Sequence, residues 1–430
     1  MSTHLSPPRI LMLGGTTTST RKAAECGLSV VNVEKAGLFE PDARGYCAQT
    51  HLIDYQDIPL VTALARTLHE LAPFARVISH TEAGPLVAGH LTTVLGLPGN
   101  GTRVTRLLHD KLSLRAALNA AGIGPVKAEP GTSREALMDF VARNGAAVVK
   151  PTMGSGSLGV RKIRSVAEAA ESWEWLTSFG LRQFMVEELL DGTEISVETF
   201  SDAGRHTVLA VTGKDIGDGV VELGHVVPAA LSEHQTAEVV AFTQDVLNAI
   251  GLVEGASHTE IILTPSGPRV VESHNRCGGD HIVDLVEMVR GVDLERLTYQ
   301  LALPAGVAPF TATDEGAAAI RYLTPPAGRI ESVIGIDQAR DAEGVVKAEV
   351  TVEPGQTVRP LLWSEDRCGL VIARAEHSAE AVERARRAAD LIRIHTTPAA
   401  PPPATTMGDL LSKADEVLDP FITEAATSTR

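Results

Sequence analysis

The stretch His258–Ile282 reads HTEIILTPSGPRVVESHNRCGGDHI, two β-like runs around a short turn. The turn Pro265–Gly267 is typical of a three-residue hairpin loop with glycine in the left-handed conformation. Glu260 and Glu272 are symmetric about the centre of that turn, so the spacing predicts that they face each other across the hairpin. Opposed Cβ atoms lie only about 4.5–5.5 Å apart in antiparallel strands. Two ionised carboxylates that close repel each other unless a cation joins them or one is protonated.

The carboxylate pair predicts a site for a hard divalent cation. Oxygen ligands combined with a phosphate favour Mg²⁺, and Mn²⁺ is the alternative. His258 and His274 pair in the same register and on the same face of the hairpin. An exposed acidic hairpin at the edge of a sheet is the competing interpretation.

The residues after the hairpin predict binding of an anionic group. Arg276 is followed by Gly278 and Gly279, so a cation stands beside a backbone that can come close to a ligand. Arginine suits phosphoryl oxygens and carboxylates because its guanidinium makes two parallel hydrogen bonds.

A glycine-rich loop follows a β run that ends in Lys150 and a proline. Thr152–Gly159 reads TMGSGSLG, and such small residues let backbone N–H groups approach an anion while the lysine supplies charge. The residue order of a P-loop is absent. A flexible hairpin loop without a ligand is the alternative interpretation.

Glu187–Glu194, with the sequence EELLDGTE, places two acids at the end of a strand and a third after a turn. These side chains could accept hydrogen bonds from an adenine amino group or from ribose hydroxyls. A solvated hairpin is the alternative.

The first part of the chain predicts a small parallel α/β domain that ends at about Gly99. Arg9–Gly15 (RILMLGG) is typical of a buried strand opening into a tight turn, and Leu60–Leu71 has helical spacing. Ligands of open α/β sheets bind where strands end, which makes Glu82 a candidate substrate residue. The GxGxxG pattern is absent, so NAD is not indicated.

Composition excludes several classes of protein. The 38 basic and 54 acidic residues give a net charge of −16, which argues against nucleic acid as a partner. The 4 cysteines are scattered, so neither a disulfide framework nor a zinc site is predicted. Without a membrane-length apolar run or a signal-peptide core, the sequence predicts a cytoplasmic protein with no membrane partner.

Taken in chain order, these features resemble the ATP-grasp superfamily. The order is Lys111, Lys150, the glycine-rich loop, the E-x-x-x-x-x-x-E pattern, the two carboxylates and the arginine, and the resemblance covers about residues 9–395. Within the superfamily the chain is most similar to L-amino-acid ligases and related carboxylate–amine ligases. Three segments carry that narrower match: Val221–Ala230 (VELGHVVPAA), Glu272–Ile282 and Glu353–Gly369.

The resemblance implies ATP as cosubstrate and a role for each matching residue. Lys111 and Lys150 would bind phosphates, and the lid loop over them would include Gly154, Ser155, Gly156 and Ser157. Glu187 would approach the adenine amino group, with Glu188 and Leu189 as the backbone hinge, and Glu194 would hold the ribose.

The remaining implied roles concern the metal and the reacting groups. Glu260 and Glu272 would bind Mg²⁺. The family often has Asn two residues after the second carboxylate, where this chain has His274 followed by Asn275, so His274 and Asn275 are the two candidates to complete the metal shell. Arg276 would stabilise the transferring phosphoryl group and the later oxyanion. His225, as a second catalytic candidate, would line the amino-acid site with Gly278 and Gly279. A solvated Lys111 and a packed, hydrogen-bonded His225 are the alternatives.

The resemblance implies α/β and α+β architecture: an ATP-grasp fold with an N-terminal parallel α/β domain, a two-lobed ATP-binding core and a small C-terminal α+β domain. The predicted ranges are 1–99, 100–305 with a lid subdomain at about 125–188, 306–396, and a Pro-rich linker and tail over 397–430. A single capped helix is predicted over 100–122. Capping-box spacing at Thr132–Glu135 and Ser232–Gln235 predicts two further helix starts.

The implied function is an ATP-dependent carboxylate–amine ligase. It would join an amino acid or small carboxylic acid to an amino acid through an acyl phosphate, releasing ADP and phosphate. Two alternatives stay open: an ATP-grasp carboxylase that uses carboxyphosphate, and a non-catalytic nucleotide-binding regulatory protein. Small-molecule carboxylates and amines are the expected partners, and a homodimer is left open.

Overall fold

The computed structural model describes residues 6–154, 156–178, 184–217 and 219–398, which contain four β-sheets. The N-terminal domain comprises β1 (Arg9–Leu13), α1 (Thr17–Glu25), β2 (Ser29–Glu34), β3 (Gln49–Leu52), α2 (Ile58–Leu71), β4 (Arg76–Ser79) and α3 (Gly84–Leu95). Its strands are all parallel, in the order β3-β2-β1-β4. The predicted parallel α/β arrangement is therefore present, with Glu82 just beyond the C-terminal end of β4.

The segment 100–122 forms two helices rather than the single helix that its sequence predicts. They are α4 (Thr102–His109) and α5 (Lys111–Ala121). Asp110 is extended between them, and its carboxylate accepts a hydrogen bond from Ser113 N at 2.5 Å, so it caps α5. The break places Lys111 at the start of a helix rather than in the middle of one.

A second sheet lies within residues 128–188 and is antiparallel. This part comprises β5 (Ala128–Pro130), α6 (Arg134–Asn144), β6 (Ala147–Pro151), β7 (Arg161–Ile163), α7 (Val166–Ser178) and β8 (Phe184–Glu188). The strand order is β5-β8-β6-β7. The cap of α6 is Ser133, one residue after the predicted Thr132, and its hydroxyl accepts from Ala136 N at 3.1 Å. We call this part the lid.

The largest sheet has eight strands in the order β13-β12-β9-β10-β11-β14-β18-β16. They are β9 (Thr193–Asp202), β10 (Arg205–Asp215), β11 (Gly224–Val227), β12 (Gly255–Thr264), β13 (Gly267–His274), β14 (Ala317–Tyr322), β16 (Val345–Val350) and β18 (Gly369–Ala375). β14 lies in the C-terminal segment, yet it pairs with β11, with Ile320 opposite His225. One sheet therefore continues from the central part of the chain into the segment predicted to be a separate domain.

The remaining elements pack around this sheet. They are α8 (Glu233–Ile250), α9 (Ile282–Arg290), α10 (Leu294–Gln300), β15 (Gly328–Ile334), α11 (Ile336–Arg340), β17 (Thr357–Val358), α12 (Ser378–Leu391) and β19 (Arg393–Thr397). The capping box predicted for α8 is present, with Ser232 and Gln235 bonding each other's backbone N–H groups. None of the helices in the described ranges is both long enough and apolar enough to cross a membrane.

The β12–β13 hairpin pairs Glu260 with Glu272, as predicted, but for a different reason. Thr264 pairs with Gly267, so the loop has two residues rather than three. A β-bulge after Glu260 then adds one residue to β13 and restores the predicted pairing.

The cross-strand register puts the polar residues of five strands on one face of the large sheet. Glu260 lies opposite Glu272 on one side and Ser196 on the other. Ser196 in turn lies opposite Thr212 of β10. Two residues further along β10, Lys214 lies opposite His225. The other face carries aliphatic side chains that pack on α8. This separation creates a polar floor for a site.

Candidate active site

A cavity of about 810 Å³ lies between the lid and the polar face of the large sheet. That volume suits a nucleotide-sized ligand. Predicted residues on its walls are Lys111, Lys150, Gly154, Gly156, Ser157, Glu187, Glu188, Leu189, Glu194, Glu260 and Glu272. The residues predicted to bind ATP and metal thus converge, except for His274, which is not on the walls, and Ser155, which lies outside the described residues.

Lys111 joins the cavity floor to the glycine-rich loop. Its Nζ lies 2.8 Å from Glu272 Oε2 and donates to Gly154 O at 2.6 Å, while its backbone N–H donates to Thr152 O at 2.8 Å. Burial opposes the charge of this lysine, but the nearby carboxylates outweigh it, with Glu272 foremost, and raise its pKa. The alternative of a solvated lysine is therefore wrong.

Glu187 pairs with two cations of the protein. Lys150 Nζ lies 2.6 Å from its Oε1, and Arg115 lies 3.0 Å from its Oε2. The side chain is only 6% exposed, and although burial raises the pKa of this carboxyl, the two cations lower it below its usual range. Both oxygens therefore have cationic partners, and the adenine contact of Glu187 stays a prediction.

The backbone N–H groups of the predicted hinge, Glu188 and Leu189, already donate hydrogen bonds within the protein. Glu188 N donates to Lys127 O at 3.0 Å, and Leu189 N donates to Ala146 O at 2.9 Å. Both residues still line the cavity. A nucleotide contact with these N–H groups would have to replace existing hydrogen bonds.

Lys214 is a central cation that sequence reasoning missed. Its Nζ contacts Glu260 closely and lies 3.2 Å from Glu194 and 3.3 Å from Glu222. One oxygen from each of the three carboxylates lies within 4.8 Å of an oxygen of the other two. Burial alone would lower the pKa of Lys214, but the three carboxylates raise it well above its usual value. The carboxylate floor is therefore already neutralised in part by protein cations.

Glu222 leaves an oxygen for a further ligand. Its Oε2 is buried and has no hydrogen-bond partner among the described residues. Desolvation raises the pKa of neighbouring Glu194, as expected for crowded carboxylates. The unsatisfied oxygen of Glu222 fits a hard cation beside phosphate, and this is the structural observation in favour of Mg²⁺.

Gly278 packs against a buried ion pair. Glu198 is fully buried and its two oxygens both lie 3.0 Å from His258 Nδ1, while His258 Nε2 lies 3.3 Å from Glu260. A Cβ on Gly278 would lie 2.8 Å from His258 Nδ1 and 3.1 Å from Glu198 Oε2. Gly279 has open space where its side chain would be, and the role of both glycines in lining the amino-acid site stays a prediction.

Arg276 and His274 connect the hairpin to the N-terminal domain. Arg276 forms a close ion pair with Glu82, and His274 Nδ1 lies 3.8 Å from the same carboxylate. His274 Nε2 is 2.8 Å from Glu272 Oε1, so its contact is with a predicted metal ligand. Arg276 also borders a separate cavity of about 60 Å³. Arg276 and His274 therefore lie beside the large cavity rather than on its walls.

His225 lies one strand beyond Lys214 on the polar face. It is 3% exposed, and its Nε2 is 3.3 Å from Asp280 Oδ2. Asp280 in turn is bound by Arg367 from the C-terminal segment. His225 is therefore packed and hydrogen-bonded, as the alternative interpretation predicts. A contact between His225 and a substrate is a separate proposal.

Residues missed by sequence reasoning share one property: their role depends on long-range pairing. Lys214 is a single lysine in an alternating strand, and only the register of β9 with β10 places it beside Glu194. Arg115 and Arg367 meet their carboxylates across 72 and 87 residues of chain. Local sequence holds no signal for such partners.

Comparison with known proteins identifies the family to which the chain belongs. Residues 144–284 match the family described as "ATP-grasp domain", and residues 321–397 match "L-amino acid ligase C-terminal domain 2". The uncharacterized protein y4rH of Sinorhizobium fredii (strain NBRC 101917 / NGR234) is 30% identical over 332 residues, which cover 74% of this chain and 67% of that protein. The chain belongs to the ATP-grasp superfamily.

Two further matches are to proteins named as ligases. Alanine–anticapsin ligase of Bacillus subtilis (strain 168) is 28% identical over 228 residues, 47% of this chain and 48% of the ligase, so the match spans about half the length of that relative. The crystal structure of L-amino acid ligase from Bacillus licheniformis has a TM-score of 0.76 and 20% identity, over 91% of this chain and 100% of that one. The predicted ATP-grasp fold class is confirmed.

Proposed function

We propose that this chain joins the carboxylate of an amino acid or small acid to the amine of an amino acid, forming ADP and phosphate. The observation that carries the proposal is the floor of the large cavity, where lysines and paired carboxylates converge beneath a glycine-rich loop. Phosphoryl transfer requires mainly positioning and charge neutralisation, and these groups supply both.

The phosphate contacts would come from Lys111, Lys150 and the loop 154–159. Each ammonium has three donors, and Lys150 uses two of them, toward Glu187 and weakly toward Val271 O at 3.4 Å. At least one donor of Lys150 therefore remains for a phosphoryl oxygen. Ser157 Oγ donates to Val220 O at 2.7 Å, which anchors the loop beside the cavity.

Glu260 and Glu272 would hold Mg²⁺, with Mn²⁺ as a substitute. The bound ion would neutralise charge on the phosphate oxygens. Lys111 and Lys214 occupy the same carboxylates, so they balance this charge in the free protein. Glu194 would contact the ribose from the adjoining wall of the cavity.

The acyl-transfer step would use groups next to the cavity. Arg276 would stabilise the transferring phosphoryl group and the oxyanion that follows, while Glu82 fixes its guanidinium. His225 and Gly279 would line the amino-acid site. Closure of the lid would exclude water, which otherwise hydrolyses an acyl phosphate.

The two alternatives have less support. The match of residues 321–397 is to a domain of L-amino acid ligases rather than of carboxylases. A pure nucleotide binder has no need of Arg276 or of opposed metal carboxylates. Association into a homodimer and a cytoplasmic location stay predictions.

An ADP-release screen tests the proposal. Full-length protein is incubated with ATP, Mg²⁺ and pairs of amino acids, and the nucleotides are separated by chromatography. We expect ADP and phosphate to form together with a dipeptide. AMP with pyrophosphate, or ADP release that depends on bicarbonate instead of an amine, would rule it out.

A further inference from the structure

The loop after Arg276 holds Asp280 in an uncommon backbone conformation. Asp280 and His281 have positive φ values of 53° and 60°, a region that residues other than glycine adopt when their surroundings hold them there. The hydroxyl of Tyr322, on β14, donates to Asp280 O at 2.9 Å. The C-terminal segment thus fixes the backbone of this loop.

Arg367 fixes the Asp280 carboxylate as well. Its Nη1 and Nη2 lie 2.8 and 2.6 Å from the two carboxylate oxygens, a bidentate pair. The guanidinium also stacks on the Tyr322 ring, 3.7 Å from its centroid, and donates to Glu222 O at 3.3 Å. A planar group held on three sides has one orientation, and so does the carboxylate it binds.

The carboxylate is an anion that points at His225. Burial disfavours the charge, but hydrogen bonds from His225 and Arg367 lower the pKa of Asp280 well below its usual value. An ionised carboxylate can only accept, so the 3.3 Å contact requires the hydrogen of His225 to lie on Nε2. In the neutral imidazole the opposite ring nitrogen, Nδ1, then carries a lone pair.

That lone pair faces no group of the described protein. Nδ1 is buried and has no hydrogen-bond partner there, although the residue as a whole is 3% exposed. His225 lies directly opposite Lys214 on the polar face, so it is next to the carboxylate floor. A buried acceptor without a partner, beside a reaction cavity, is suited to take a proton.

We propose that Asp280 and Arg367 are positioning residues that set the tautomer of His225, whose Nδ1 accepts the proton of the attacking amine. This inference rests on the proposed ligase function. The amine nitrogen forms a bond to the acyl carbon, and the bond from that carbon to the phosphate oxygen breaks. Phosphate leaves with the electron pair, and the proton lost from nitrogen passes to Nδ1 and then to solvent.

Hydroxylamine separates this step from the formation of the acyl phosphate. It is largely neutral at pH 7 and attacks an acyl phosphate without a base, giving a hydroxamate. Full-length protein is given ATP, Mg²⁺ and an equimolar mixture of the standard L-amino acids, with and without hydroxylamine. Hydroxamate and dipeptide are then measured by mass spectrometry. Wild type that makes neither product would refute the ligase proposal itself.

Asp280→Asn is the main variant, because Asn tolerates positive φ and its amide can donate to Nε2, favouring the wrong tautomer. We expect dipeptide formation to fall on the order of 10²-fold while hydroxamate formation stays within about twofold. Arg367→Met should show the same split, and the double variant should be no worse than Asp280→Asn alone.

An exposed arginine of the same segment gives the control. Arg386 pairs with Glu383 on the surface of α12, so Arg386→Met should change neither product. Equal losses of hydroxamate and dipeptide in Asp280→Asn and Arg367→Met would show a structural role only. Unchanged dipeptide formation in both variants would also overturn the inference.

Discussion

In the cavity, carboxylates and lysines that are far apart in the sequence form ion pairs with each other. Glu260 and Glu272 face each other as the spacing predicts, yet neither is the bare anion that the hairpin suggests. Lys214 and Lys111 come from other strands and helices and neutralise them. Repulsion between the carboxylates is therefore offset before any metal arrives.

Replacing either carboxylate by its amide should separate metal use from folding. For Glu260→Gln and Glu272→Gln we expect turnover to fall on the order of 10²-fold, because a charge that would hold Mg²⁺ beside the phosphates is lost. The Mg²⁺ dependence of ADP release is the measurement. Glu343→Gln, which removes an exposed carboxylate paired with Arg384, is the matched control.

The two variants should differ in stability. Lys214 keeps Glu194 and Glu222 when Glu260 is replaced, whereas Lys111 loses its carboxylate partner in Glu272→Gln. A buried charge without its partner costs about 3 kcal/mol, so chemical denaturation should show the larger loss for Glu272→Gln. Unchanged Mg²⁺ dependence in both folded variants would contradict the shared-metal interpretation.

Neighbouring glycines give a test of packing beside the same site. Gly278→Ala would push a methyl group against the His258–Glu198 pair, at 2.8 Å from Nδ1. We expect a loss of stability of about 1–3 kcal/mol, seen as a lower melting temperature. Gly279→Ala meets no atom within 4 Å and should melt like wild type. Equal melting temperatures for the two variants would argue against the close packing.

Among the helices and strands, the sequence predicts those features that depend on the spacing of nearby residues. The N-terminal alternation, the capping box at Ser232 and the β12–β13 pairing all follow from spacing. The two-residue turn with a bulge does not, because both turn types fit Pro265–Gly267 and the bulge compensates for the difference. Likewise, the break at Asp110 follows from a side-chain cap that an uninterrupted helical pattern conceals.

The glycine-rich loop should respond to nucleotide. Its described residues 152–154 and 156–159 contact the rest of the protein through few groups, among them Lys111, Val220 and Ser364. Loops with few contacts open easily, so phosphate binding should slow amide hydrogen exchange here. Exchange is compared with and without a non-hydrolysable ATP analogue and Mg²⁺. Identical rates in both conditions would count against a phosphate lid, and α12 serves as the internal reference.

For the whole molecule, the eight-stranded sheet makes the C-terminal segment part of the central fold. β14 pairs with β11 on one side and with β18 on the other, so separating them would expose two strand edges. The sequence predicts a domain over 306–396 but carries no information about which of its strands pair with the rest of the chain. We expect one cooperative unfolding transition for both parts, measured by calorimetry with limited proteolysis. A protease-resistant fragment covering 306–396 alone would contradict this continuity.

Transfer of ¹⁸O from substrate to phosphate tests most directly whether this ATP-grasp chain activates a carboxylate for ligation. The protein is supplied with ATP, Mg²⁺ and amino acids whose carboxylates carry ¹⁸O, and the released phosphate is analysed by ³¹P NMR. An acyl phosphate that is attacked by an amine leaves one carboxylate oxygen on the phosphate, so we predict ¹⁸O in the phosphate in proportion to the dipeptide formed. Phosphate without ¹⁸O, released while dipeptide accumulates, would contradict the acyl-phosphate mechanism.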